Sequence, residues 1–409
     1  MAQQPVPIHP VVGGVPRGTD YFGREDLVQS LWQKLDRDSI LLVAPRRFGK
    51  TGAMCRLLDE PRPPFRPLYM DVEDIESAGD FMVELLATLL RDHHFARIGR
   101  ALWEEAKEFG RFLRDLPSSI DIGGLKVELR ERTDVRQNWA SYGERVMSVL
   151  AKGDPPLLLL IDEFAVMVGH ISKRDTAEAQ QLLRWFRRAR TAPNTQTRFV
   201  IGGSVNLIST LDGMGLVDTI NDLSVVRIRP FDPKVARCFV QAIFTTQHVV
   251  VTSAIVDRVL DCVGAPIPYL LAVLLAAILD RQRLEQAPVS EEMVKAAFED
   301  DLLGGATSAV FRHYRSRIDE YYPGREGHAA KAILAVLSRS NVAVKHDTLY
   351  FVYLKTANQP PGPDSEEGFT RLMQKLDNDF YIVTDDDGYT FFSRVLRLWW
   401  KTHFGFQGD

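Results

Sequence analysis

A chain of 409 residues is too long for one compact core and implies two or three domains. Apolar residues make up 45% and charged residues 25%, the balance of a water-soluble globular protein, and nothing resembles a signal peptide or a transmembrane span. The 50 basic and 54 acidic residues give a net charge of −4, which excludes a surface coated in positive charge for nucleic acid while leaving room for a local patch. The three cysteines, Cys55, Cys238 and Cys262, are scattered and odd in number, so they read as buried thiols in a reducing compartment, the cytoplasm. The nine histidines show no ligand spacing, and neighbouring His93 and His94 cannot share a helix face, so a histidine metal site is not expected.

Residues 1–19 carry Pro5, Pro7, Pro10 and Pro16 and read as a tail or an extended arm. Phe22-Gly23-Arg24-Glu25 then leads into an amphipathic helix with Leu27, Leu31 and Leu35. Ser39 to Val43 read as a buried strand. Ala44-Pro45-Arg46-Arg47-Phe48-Gly49-Lys50-Thr51 follows, and Met54, Leu57 and Leu58 mark one face of a helix after it. Strand, glycine-bearing loop and helix are the context of a phosphate-binding loop, with Ala44 in place of the first glycine. Backbone N–H groups of such a loop and the positive end of the helix, from Lys50 through Gly52, point at a phosphate chain. Gly49 lets the backbone come close, whereas Pro45 has no N–H to give. Lys50 would reach the β- and γ-phosphates of a nucleotide, and the Thr51 hydroxyl would ligate Mg²⁺.

Pro67 to Val72 read as a second strand, and 80–116 as helices. Ile120 to Leu129 alternate around Gly123-Gly124, the pattern of a hairpin that caps the domain or meets a partner. A helix over Trp139 to Leu150 precedes Pro156-Leu157-Leu158-Leu159-Leu160-Ile161-Asp162-Glu163. An apolar run of that kind is a strand buried on both faces. It ends in two carboxylates at the carboxyl edge, where open α/β sheets bind ligands. Strand alternation sends the two side chains in different directions, so Asp162 would hold Mg²⁺ through water and Glu163 would polarise the attacking water as general base. Arg184, Arg187, Arg188 and Arg190 make the next helix basic; it is a solvated face, or Arg187 or Arg188 is an arginine finger for a neighbouring subunit. Arg198 to Ser204 read as a fourth strand, with Ser204 either a γ-phosphate sensor or a helix N-cap, and Leu223 to Ile228 as a fifth.

Asp232-Pro233 is an N-cap followed by an N1 proline and opens a run of helices to about Leu303. Gly264-Ala265-Pro266-Ile267-Pro268-Tyr269 breaks two of them, either as an ordinary turn or by bringing a helix end, through Pro268, over a nucleotide. Helices at Ala329 to Leu337 and Phe369 to Leu376 flank a proline-rich linker, Gln359 to Pro363. Phe380 to Val383 and Tyr389 to Phe392 flank Asp385-Asp386-Asp387-Gly388, a hairpin signal, and a last helix holds Trp399 and Trp400. This order describes a winged helix. Its three tip aspartates would repel phosphates, which favours a protein-contact or lid role over DNA binding.

The motifs at 22–25, 45–51, 158–163 and 202–204, with the proline motif near Pro268 and the closing segment 389–400, together resemble the archaeal-type ATPases. Those relate to the STAND NTPases and to the origin-recognition branch of the AAA+ proteins. The resemblance implies a P-loop α/β domain over 20–232, with an insertion at about 80–150. A helical lid over 233–305 and a winged-helix domain over 306–409 would follow it. It implies ATP and ADP binding with Mg²⁺, ATP hydrolysis, and Phe22, Gly23 and Arg24 near the adenine. It also implies a switch acting through partner proteins, in signalling or defence; the arginines clustered on the helix after the acidic strand add the expectation of ATP-dependent self-association. A DNA-associated AAA+ ATPase, of initiator or transposition-regulator type, is the competing reading. No period recurs in the chain, so sensor repeats would lie on another polypeptide.

Overall fold

The computed structural model describes residues 7–95, 136–151, 153–203, 207, 211, 214–305 and 308–405. The expected hairpin at 120–129 and the helices expected beyond 95 lie outside these residues. The chain forms two compact units. Arg24–Ala44 with Lys50–Ile228 make a sheet unit; Met1–Gly23, Pro45–Gly49 and Arg229–Asp409 make a helical unit.

In the sheet unit, α1 (Glu25–Leu35) leads to β1 (Ile40–Val43) and α2 (Lys50–Asp59). Then come β2 (Arg66–Asp71), α3 (Ala78–Arg91), α4 (Trp139–Leu150) and β3 (Leu157–Asp162). Helices α5 (Phe164–Arg174) and α6 (Thr176–Thr191) precede β4 (Arg198–Gly203) and β5 (Ser224–Arg227). The five strands are parallel in the order β2-β3-β4-β1-β5. Every residue of β1 and β3 is buried, as unbroken apolar runs require of central strands. β2, at one edge, is buried only at Pro67 and Met70. The core beside the sheet is aromatic: Phe186 stacks on Phe164 at 5.2 Å and meets Phe199 edge-on at 5.1 Å. Of the three cysteines, Cys55 and Cys262 are buried as expected, but Cys238 is exposed.

In the helical unit the N-terminal arm is anchored: Ile8 is buried, and its N–H donates to the Thr246 hydroxyl at 3.1 Å. Asp232 caps α7 (Pro233–Thr246), accepting from the Lys234 N–H, with proline at N1 as the sequence predicts. Next come α8 (Ser253–Val263), α9 (Pro268–Glu285), α10 (Glu291–Ala296) and a π-helical turn at Ala297–Leu303. The C-terminal part comprises α11 (Ser308–Tyr321), α12 (Arg325–Arg339), α13 (His346–Ala357) and α14 (Pro363–Asn378). The hairpin β6 (Ile382–Asp385) and β7 (Gly388–Phe391) and helix α15 (Arg394–Phe404) complete it. Two helices, α11 and α13, are additional to the sequence reading. In α13 the run Leu349-Tyr350-Phe351-Val352-Tyr353-Leu354 is aromatic and β-branched, a strand-like composition that tertiary packing overrides. The hairpin turns where expected, and the Asp385 carboxylate accepts the Asp387 and Gly388 N–H groups at 3.0 Å. Arg394, at the start of α15, donates to the Asp261 carbonyl near the end of α8 and ties this segment to the preceding helices.

Candidate nucleotide site

At the carboxyl edge of the sheet, β1 leads through Ala44 to the loop 45–49, and α2 begins at Lys50. The Lys50 ammonium donates to Glu163 Oε1 at 3.1 Å and lies 3.5 Å from Asp162 Oδ1. Lys50 is only 8% exposed, so a buried cation is held against two carboxylates. The Thr51 hydroxyl donates to Asp162 Oδ2 at 2.5 Å, and the Tyr69 hydroxyl approaches the same oxygen at 3.4 Å. The Glu163 N–H donates to Asp162 Oδ1 at 3.0 Å. Asp162 is 2% exposed, and both its oxygens have partners.

The two carboxylates do not point apart as strand alternation predicts; both reach Lys50. The reason is the backbone of Glu163, at φ 56° and ψ 28°. That left-handed conformation ends the alternation of β3 one residue early. It costs a non-glycine residue about 1–2 kcal/mol. Strain at the residue that would act as general base is where functional sites tend to store it.

Sequence reasoning missed three contributors. Tyr69 sits on β2, paired with Leu160 on β3, and strand register is not readable from one strand alone. Burial, reinforced by the Asp162 and Asp71 charges, pushes the Tyr69 phenol far up, so Tyr69 remains a neutral donor. Asp71 pairs in register with Asp162. Desolvation raises its carboxyl, opposed by the Glu73 N–H it accepts and assisted by the negative charges of Asp162 and Glu163. Gly202, on β4, leaves the space Asp162 occupies: a Cβ there would stand 2.6 Å from Asp162 Oδ1 and 2.9 Å from Met54 Cε. The Gly202-Gly203 pair at a strand end was its sequence signal.

The remaining predicted residues divide. Pro45–Gly49 group with the helical unit. There the Gly49 carbonyl accepts the Tyr21 hydroxyl at 3.1 Å, and the Arg47 guanidinium lies 4.8 Å from the Tyr269 ring centroid. Pro268 is the N1 residue of α9, so the structure brings the loop and the proline motif together. Arg46 is exposed, and Gly52 is buried in α2. Phe22 packs on Phe239 with ring centroids 5.6 Å apart, Gly23 has φ 63°, and Arg24 stands before α1. Arg187 pairs with Asp218 at 2.8 Å and Arg188 with Glu144 at 3.5 Å, not with the carboxylates of the site. Ser204 lies outside the described residues.

The donor set fits a hard cation. A hydroxyl and a carboxylate side by side are the hard oxygen donors that suit Mg²⁺, which takes one or two protein oxygens and completes its shell with water and phosphate. Among the described residues no cluster of three or more His, Cys, Asp and Glu could hold a metal by itself.

The parallel sheet, the glycine-bearing loop into α2 and the acidic end of β3 define the α/β fold of P-loop, AAA+-type ATPases. Solved structures share it, among them these two. The Walker-type ATPase PABY2304 of Pyrococcus abyssi is similar over 95% of this chain and 99% of its own, with a TM-score of 0.61 and 16% identity. The Aeropyrum pernix ORC2 protein, in ADPNP–ADP complexes, is similar over 91% of this chain and 89% of its own, with a TM-score of 0.50 and 11% identity. No protein-family model and no curated protein matches the sequence. Identities this low speak for the fold. Among the described residues, no helix is long and apolar enough to cross a membrane.

Proposed function

We propose that this protein binds ATP with Mg²⁺, hydrolyses it to ADP and phosphate, and uses the two nucleotide states as a switch on partner proteins. The observation that carries the reading is the Lys50 ammonium held between Glu163 and Asp162, with Thr51 bonded to Asp162. A buried cation whose counter-ions are only carboxylates can exchange one of them for a phosphate oxygen. On ATP binding, Lys50 passes from Glu163 to the β- and γ-phosphates. The Glu163 carboxylate then becomes available to orient a water and take its proton. Thr51 and Asp162 would hold Mg²⁺, which when bound would supply positive charge for the phosphate oxygens. Asp162 stays in place because Gly202 and the donors on its oxygens fix it.

The partner is a protein rather than DNA, and the C-terminal hairpin with its flanking helices serves as a winged helix for protein contact. Asp385, Asp386 and Asp387 are exposed at its tip, where they would repel a phosphate backbone. ATP promotes self-association, with Arg187 or Arg188 acting in trans, and the site of action is the cytoplasm. Calorimetry tests the core of this reading. Wild type should bind ATP in Mg²⁺, and Lys50→Ala should abolish it. Undiminished affinity in Lys50→Ala rejects the phosphate-loop assignment. Recovery of a protein that co-purifies differently with ATP and with ADP tests the switch.

A further inference from the structure

The side chain of Phe48 is 1% exposed although it follows two exposed arginines, Arg46 and Arg47. With Ile267, Tyr269, Phe311, Tyr314, Phe380 and Phe392 it lines a small pocket of the helical unit. Its ring centroid lies 5.7 Å from Phe380 and 6.0 Å from Phe392, and those two meet edge-on at 5.1 Å. The space they enclose is about 20 Å³, room for a single water, so Phe48 packs against these side chains with little free volume between them. The pair stands at the root of the hairpin. Phe380 precedes β6 with φ 59°, and the Phe392 N–H, after β7, donates to the Tyr381 carbonyl at 3.0 Å.

The residues on either side of Phe48 are anchored separately. Arg47 has φ 72° and lies over Tyr269; Gly49 has φ 91° and its carbonyl accepts from Tyr21. Left-handed residues alternating with ordinary ones turn successive N–H groups inward to form an anion nest. At Arg47 such a conformation is strained and persists only where the surroundings over-determine it. Phe48 is the one residue between the two left-handed positions, and its ring is the largest anchor the loop has.

We infer that Phe48, clamped by Phe380 and Phe392, is a positioning residue that holds the phosphate loop in its anion-binding form, making the hairpin root part of the nucleotide-binding machinery. The inference rests on the ATP reading above. The pocket does not touch phosphate; it acts through the loop backbone. Loosening the clamp therefore weakens nucleotide binding and leaves Lys50, Thr51, Asp162 and Glu163 intact.

The test is a double-mutant cycle on the full-length chain, with ATP and Mg²⁺ affinity read by calorimetry and turnover by phosphate release. Phe392→Leu and Phe48→Leu keep most of the volume and remove the aromatic pairing. Each should weaken ATP binding roughly two- to tenfold, the scale of an aromatic pair. The double variant should be no weaker than either single one, because both break the same clamp. KM should rise while kcat at saturating ATP stays within about twofold. Leu372→Ala, a buried position on α14 outside this pocket, serves as the stability control: a lowered melting temperature with unchanged ATP affinity separates positioning from general destabilisation. Wild-type affinity in Phe392→Leu, or single effects that multiply in the double variant, overturns the clamp while leaving the ATP reading standing. Absence of ATP binding by wild type overturns both.

Discussion

Replacing Glu163 by glutamine separates the two tasks of its carboxylate, because it keeps size and polarity and removes charge and basicity. In the structure that carboxylate lies 3.1 Å from the Lys50 ammonium. At an effective dielectric of about 20, unit charges at that separation attract by roughly 5 kcal/mol. Desolvation offsets most of this, and Glu163 is 27% exposed, so the net worth of such a pair is on the order of 1 kcal/mol. Asp162, 3.5 Å from Lys50, remains as a counter-ion and holds the lysine in place. ATP no longer has to displace Glu163, so affinity should hold or rise by up to about fivefold, the equivalent of roughly 1 kcal/mol. Hydrolysis loses the group that accepts the water proton and should fall by about two to four orders of magnitude. Calorimetry reads the first effect and single-turnover phosphate release the second. Near-normal hydrolysis would show that another group takes the proton. Loss of ATP binding would show that Glu163 matters for the architecture of the strand end, where its left-handed backbone sits.

Gly202→Ala should cut hydrolysis at least tenfold and lower the melting temperature, since its methyl would collide with Asp162 Oδ1 and overpacking costs about 1–3 kcal/mol; wild-type turnover would show that β4 yields at no cost to the acid. Asp379 tests the interior of the helical unit. Burial raises its carboxyl above the ordinary value, with the Arg317 charge and the Tyr322 hydroxyl only partly opposing this. A raised acid loses its proton first in the unfolded chain. Stability relative to Asp379→Asn should therefore be greatest below the ordinary carboxylate pKa of 3.8, fall as pH rises toward the raised native value, and level off above it; urea melts that run parallel for the two proteins would refute this. For the arginines, mixing an Arg187→Ala, Arg188→Ala chain with a Lys50→Ala chain should restore some hydrolysis, and no recovery between folded, associating chains would leave them as partners of Asp218 and Glu144 alone.

What the sequence discloses about this fold follows from how local each feature is. The runs Ile40–Val43 and Leu157–Asp162 announce themselves because a strand buried on both faces needs no polar residue. Asp232-Pro233 marks a helix start, and Asp385 to Gly388 marks a turn, because both are settled by a few adjacent side chains. Strand order, the contribution of Tyr69 and the clearance at Gly202 depend on register between strands far apart in sequence. α13 hides because a strand-like stretch is overruled by its packing, including Tyr353 on Phe369 at 5.7 Å. The convergence of Asp162 and Glu163 turns on a single backbone angle that alternation cannot foresee.

The phosphate loop joins these two kinds of information. Its sequence carries Ala44 where the pattern has glycine, and the structure places no unusual backbone demand at that position. The left-handed residues are Arg47 and Gly49, not Ala44, which is buried at the end of β1 and has an ordinary backbone. A methyl group there fills space next to an apolar strand, and glycine would add only freedom to the unfolded chain. The demand for an unusual backbone falls instead on position 47, where an arginine occupies a conformation that few arginines adopt. A local rule is broken at one point, and the compensation comes from Tyr269, Phe380 and Phe392, more than two hundred residues away in sequence.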